Sequence, residues 1–153
     1  MTSLATNSSR IAVMSEAAIE KVRVVQNEML KMPQVDLPVH HTLHGGMYSR
    51  SLVIPAGVAI AGAFILVPTM LIVSGNVTVY ANDQEYEIDG YQVLVASAGR
   101  KQLFVAHSDT NMTMLFATTA TNVEDAEDEF TSESHLLASR RYEDLNTTII
   151  TGE

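Results

Sequence analysis

The chain has 153 residues, 46% of them hydrophobic and only 18% charged, with no cysteine and a formal net charge of −9. That length suits one domain with a core of its own, which excludes a multidomain machine and a wholly disordered chain. The negative charge sets aside nucleic acid and anionic lipid as partners, and the missing thiols exclude disulfides, a cysteine nucleophile and cysteine-ligated zinc.

The first 22 residues hold no basic segment leading into an unbroken apolar stretch, so the expectation is no secretory signal and a cytoplasmic location. Residues 1–14 are rich in Ser, Thr and Asn and read as a flexible arm. Ser15 is placed to cap a helix predicted over 15–32, with Glu16 in its first turn and Ile19, Val22, Gln26 and Met29 along one side; Pro33 ends it. Strand signals then fill 36–120. They cover Tyr48–Ile54, Val58–Ala61, Phe64–Val67, Met70–Val73, Val77–Tyr80, Glu85–Ile88, Gln92–Ala96, Gln102–Ala106 and Met112–Thr118, with turns such as Ser74-Gly75-Asn76 and Asp89-Gly90 between them. Such even spacing predicts a closed sandwich or barrel. The run Leu52–Val73 carries no charge and is long enough for a membrane helix of about 20 residues. Pro55, Gly57, Gly62 and Pro68 would break that helix, and its Val and Ile residues suit strands, so no membrane partner is expected. Beyond Thr121, acidic residues lead and Arg140-Arg141 follow, which complements a helix dipole. This predicts an acidic helix over 122–143 with a break near Thr131-Ser132, then a tail over 144–153 that is loose or adds an edge strand to a neighbouring chain.

Two blocks, Ile54 to Val79 and Gly90 to Gln102, place glycines and strands in an order that resembles the cupins. The chain is similar, more narrowly, to small cupin-like proteins of tailed bacteriophages and prophages. The resemblance covers about Leu37 to Thr119 and implies a mainly β, double-stranded β-helix (jelly roll) barrel with an N-terminal and a C-terminal helix. Matched to the cupin motifs, Ala63 and Ile65 stand at two histidine positions, Thr69 at the acid and Gln102 at the last histidine. A divalent metal needs nitrogen, sulfur or carboxylate oxygen, so the resemblance implies a barrel without metal and no cofactor.

His40, His41 and His44 form the only histidine cluster; on a strand the first and last share a face and His41 takes the other, so joint metal binding needs a bend, which Gly45-Gly46 permits. Metal-free cupins that isomerise sugar nucleotides use a histidine positioned by an acid. The resemblance thus offers His41 or His107 as a catalytic base, with Asp36 or Asp109 as the acid. Arg100-Lys101 follows a turn and is suited to a carboxylate or phosphate; Arg100, Gln102, Thr69 and Tyr48 are the candidate ligand-binding residues. Both faces of the segment Ala63–Leu71 are apolar, which predicts a homo-oligomer, a dimer or larger. The leading expectation is a binding protein of phage type, in the host cytoplasm or the virion, with other phage structural proteins as partners. A metal-independent sugar-nucleotide isomerase or epimerase is the alternative.

Overall fold

The computed structural model describes residues 10–153. The expected arm therefore lies outside the described residues up to position 9, and beyond it Arg10–Ile11 forms a short strand, β1. Helix α1 spans Glu16–Met29: Ser15 accepts the Ala18 N–H at its start, and Ala18, Ile19 and Val22 are its buried face. That face packs with Met14 on Phe64 and Ala81.

The strands that follow are β2 (Val39–His44), β3 (Met47–Ile54), β4 (Ala59–Ala61), β5 (Thr69–Ala81), β6 (Gln84–Ala96), β7 (Leu103–Ala106) and β8 (Thr110–Ala117). Next come α2 (Val123–Phe130), a short helix α3 (Ala138–Arg141) and a last strand, β9 (Asn146–Ile150). The tail thus supplies a strand to its own chain, parallel to β2. The acidic helix predicted over 122–143 stops at Phe130, because Thr131 takes an extended conformation and bridges to Ile65.

Strands β5 and β6 pair along their whole 13-residue lengths and turn over at Asn82-Asp83, both with positive φ, as a tight two-residue hairpin demands. The predicted turns at Ser74-Gly75-Asn76 and Asp89-Gly90 therefore lie inside these strands. Gly75 is paired with Gly90, and a Cβ on Gly75 would sit 2.7 Å from the Thr110 Cα, so glycine is required by the close approach of β8. Before this point β5 pairs with β8, and after it with β7.

The paired path runs β1-β6-β5-β8-β3-β2-β9, and β4 is reached only through β7. Among the described residues it does not return on itself. The mainly β expectation stands, but the jelly-roll barrel is overturned: β1 and β9 are the free ends of the ladder and the three-residue β4 pairs on one side only. The segment expected as a strand over Phe64–Val67 forms only isolated bridges, at Ile65. Ile65 N–H donates to the Arg100 carbonyl, and Leu66 N–H to that of Phe130.

The core lies between these layers, where Tyr48, Ile54, Val73, Val77 and Val79 are wholly buried. The uncharged run Leu52–Val73 is divided among β3, β4, a loop and β5. Among the described residues no helix is long and apolar enough to cross a membrane.

Candidate functional site: a cavity between the layers

A cavity of about 570 Å³ opens between the inner face of β3, β5 and β8 and the β4–β7 pair, within the range of small-molecule sites. Strand alternation builds its wall. Arg50 lies opposite Met114, Leu52 opposite Met112, and Leu71 beside Met114. Phe104, Gln102 and Arg100 line the other side, and Phe130 adds an aromatic surface at the end of α2. The Phe130 ring stacks on Tyr48 at 6.2 Å and meets Phe116 edge-on at 6.1 Å, so aromatic packing fixes it. Residues of the 29–37 segment and of 136–142 line the remaining side.

The charged groups around this space are mostly committed. Arg50 donates to Glu127 at 2.9 Å, Arg140 donates to the same carboxylate at 3.0 Å, and Ser139 adds a third bond. The Lys101 ammonium, fully buried, donates to Glu133 and to the Gly62 carbonyl, each at 2.9 Å. Burial opposes ionisation of Glu133, but Lys101, the Phe64 N–H and Arg23 outweigh it and hold the carboxyl below its usual range. Arg100 differs from both. It is 3% exposed, donates to the Ser97 carbonyl and to Thr69 Oγ1 at 2.7 Å each, and has no carboxylate within 4.0 Å among the described residues. Burial pulls its pKa down to about 10, against a smaller opposing effect of Tyr86.

The predicted residues divide into separate places. Gln102 lines the cavity beside Arg100 and donates to the Tyr86 hydroxyl at 3.1 Å, while Thr69 reaches this wall through its bond to Arg100. Tyr48 lies outside the lining, wholly buried, its hydroxyl 2.7 Å from His41 Nδ1. His41 Nε2 meets Asn146 Oδ1 at 2.9 Å, and the Asn146 amide nitrogen donates to the Ser139 carbonyl at 2.7 Å. That second bond fixes the amide, so Nε2 carries the proton and Nδ1 accepts from Tyr48. Burial lowers the His41 pKa, with Arg50 adding to the effect and the Asn146 bond opposing it. Burial likewise pushes the Tyr48 phenol up to about 12.

His40 and His44 face outward on β2, opposite to His41, so the three histidines do not converge on one point. His107 meets Thr78 Oγ1 at 2.6 Å, whereas Asp109 accepts the Ala56 N–H at 2.9 Å; the expected His107–Asp109 pairing does not form. Asp36 is exposed and makes no hydrogen bond to His41. Of the positions matched to cupin ligands, Ala63, Ile65 and Gln102 line the cavity. Two of these offer only carbon and Thr69 is bonded to Arg100, so a metal ion does not fit this donor set. Among the described residues no group of three or more His, Asp or Glu is gathered to hold one.

Sequence reading missed Arg50, Phe130, Glu127 and Glu133. For Arg50 a signal existed, since it shares a strand alternation with Tyr48, Leu52 and Ile54 and is the one charge in that inward row.

No protein-family model matches the sequence, and no curated protein matches it. Among solved structures, a cupin superfamily protein from Desulfitobacterium hafniense aligns at 11% identity and a TM-score of 0.47, over 57% of this chain and 82% of that one. A Cupin 2 conserved barrel domain protein from Salinispora arenicola gives 12% and 0.47, over 59% and 84%. A salicylate 1,2-dioxygenase from Pseudaminobacter salicylatoxidans gives 13% and 0.49, over 83% of this chain and 42% of that one. At identities of 11–13% and TM-scores below 0.5 these likenesses carry no argument for family, ligand or activity. None of the three is described as a phage protein, so they lend no support to the phage and virion expectation.

Proposed function

We propose that this chain binds a small, largely apolar molecule in the cavity between its strand layers, by shape and burial and not by metal coordination. The observation that carries the reading is the wall itself: about 570 Å³ with a mostly apolar lining that includes Leu52, Leu71, Phe104, Met112 and Met114. A buried apolar surface of this kind gains on the order of 25 cal/mol for each Å² it shields from water when a ligand fills it. The test is a titration with 1-aminoanthracene, a neutral fluorophore. Saturable binding at one site per chain is expected, with loss in Ala63→Phe, whose ring would occupy the cavity, while circular dichroism shows the variant folded. No saturable binding, or equal binding by the variant, overturns the proposal.

A metal-independent isomerase or epimerase is a second reading, favoured by the Tyr48–His41–Asn146 chain of hydrogen bonds. His41 is neutral in that chain but 1% exposed, and its partner Tyr48 is wholly buried outside the cavity lining, which sets this reading behind the first. Turnover of nucleotide sugars that is abolished by His41→Ala and kept by His107→Ala would establish it. Absence of turnover in the wild-type protein would remove it.

The chain is further proposed to self-associate through the outer face of β5 and β6. There Met70, Tyr91, Val93 and Val95 are exposed, with Ile72 between them; the rows that join them to β8 carry no charged side chain, and the exposed Arg10 of β1 lies opposite Val95 at the edge. On a chain of net charge −9 a face whose rows carry no acidic side chain is where two copies meet with least repulsion.

A further inference from the structure

A guanidinium in an apolar interior is normally matched by a carboxylate, because a buried cation with only neutral partners forfeits most of its hydration. In this protein Arg50 and Lys101 obey that rule and Arg100 does not. Its two recorded bonds, to the Ser97 carbonyl and to Thr69 Oγ1, leave other N–H groups of the planar fork without an acceptor among the described residues. The residue nevertheless lines the cavity. It is held at both flanks: Ile65 N–H donates to the Arg100 carbonyl, and the Thr69 bond fixes the guanidinium from the start of β5. A fork so placed is preorganised for a planar anion, which it can meet with two parallel hydrogen bonds.

Resting on the binding reading above, we infer that the ligand is an apolar carboxylic acid whose carboxylate pairs with Arg100 and whose hydrocarbon body lies along Leu71, Phe104 and Met112. On the Arg100 wall the charge balance fits a monoanion: Arg50 is neutralised by Glu127 and Lys101 by Glu133, which leaves Arg100, while the exposed Arg141 lines the remaining side of the space. A phosphate dianion would enter with one charge uncompensated, next to the Glu133 carboxylate that also lines the space. At roughly 30 Å³ of liquid volume per small unit such as water, the cavity admits a ligand of about 10–20 non-hydrogen atoms.

The experiment displaces bound 1-aminoanthracene with octanoic acid, octan-1-ol and octyl phosphate at pH 7. These share one chain and differ in the head group. Octanoate is expected to displace the fluorophore at least tenfold more tightly than octan-1-ol, and octyl phosphate no more tightly than octanoate. Arg100→Gln is expected to erase the difference between acid and alcohol while the fluorophore still binds. Arg141→Gln, at an exposed residue that also lines the space, is expected to keep it. Equal displacement by acid and alcohol in the wild-type protein, with the fluorophore bound, overturns the carboxylate assignment and leaves the cavity reading intact. Tighter displacement by octyl phosphate also overturns it. Loss of the preference in Arg141→Gln moves the anion to another residue and overturns the role of Arg100, whether or not Arg100→Gln folds. Failure of the fluorophore to bind at all sinks the binding reading first.

Discussion

Replacing Glu127 by Leu removes the carboxylate that Arg50, Arg140 and Ser139 share. The Arg50 side chain is only 11% exposed, and the substitution leaves its charge with no acid to meet. Breaking one side of a buried pair costs about 3–5 kcal/mol. Arg140 adds little, since it is 28% exposed and keeps Asp128 at 2.9 Å. For a domain of this size about 1 kcal/mol moves Tm by roughly 2–4 °C, so a fall of about 6–20 °C is expected. The double variant Glu127→Leu/Arg50→Met exchanges the pair for hydrocarbon and should recover most of the loss, because such exchanges are often close to neutral. The assay is urea unfolding followed by circular dichroism, with the chain at fixed concentration so that self-association does not shift the midpoint. A Glu127→Leu protein within about 1 kcal/mol of wild type, or a double variant no more stable than the single one, refutes the idea that this carboxylate fixes α2 to the cavity wall.

His41 should stay neutral below pH 6.5, visible by NMR as an unprotonated Nδ1 that does not titrate at its ordinary value. The unfolded chain binds that proton near 6.5 and the folded one does not, so the contribution to stability is present above 6.5 and fades as pH falls toward the folded value. A midpoint at or above 6.5 contradicts the Tyr48–His41–Asn146 assignment. Light scattering should show a dimer or larger assembly, converted to monomer by Met70→Lys/Val93→Lys without loss of fluorophore binding; a soluble wild-type monomer counts against the outer face as an interface.

The sequence was most informative where local rules decide the outcome. The Ser15 cap and the alternations of β3 and β8 place those elements within a few residues of where they lie. Glycine misled at 75 and 90, since the same residue marks a turn or permits two backbones to touch, and here pairing of Gly75 with Gly90 beside Thr110 made the second choice. Closure of the ladder was not legible, because it depends on where the 62–68 segment sends its N–H groups, and those of Gly62, Phe64, Ile65 and Leu66 go to Gln102, Glu133, Arg100 and Phe130, far along the chain. At the site, Arg100 could be singled out from the Arg100-Lys101 pair after a turn, and Gln102 from its place in the second cupin-like block. Glu127 and Glu133 are paired across 77 and 32 residues of sequence, with Arg50 and Lys101, and such separations leave no local pattern for the pairing.

Anomalous diffraction from crystals soaked in 8-bromo-octan-1-ol locates an apolar ligand without reference to its head group. The account predicts a bromine peak inside the cavity, among Leu71, Phe104 and Met112. Bromine found only on the outer face of β5 and β6, with the cavity filled by ordered water, would contradict it.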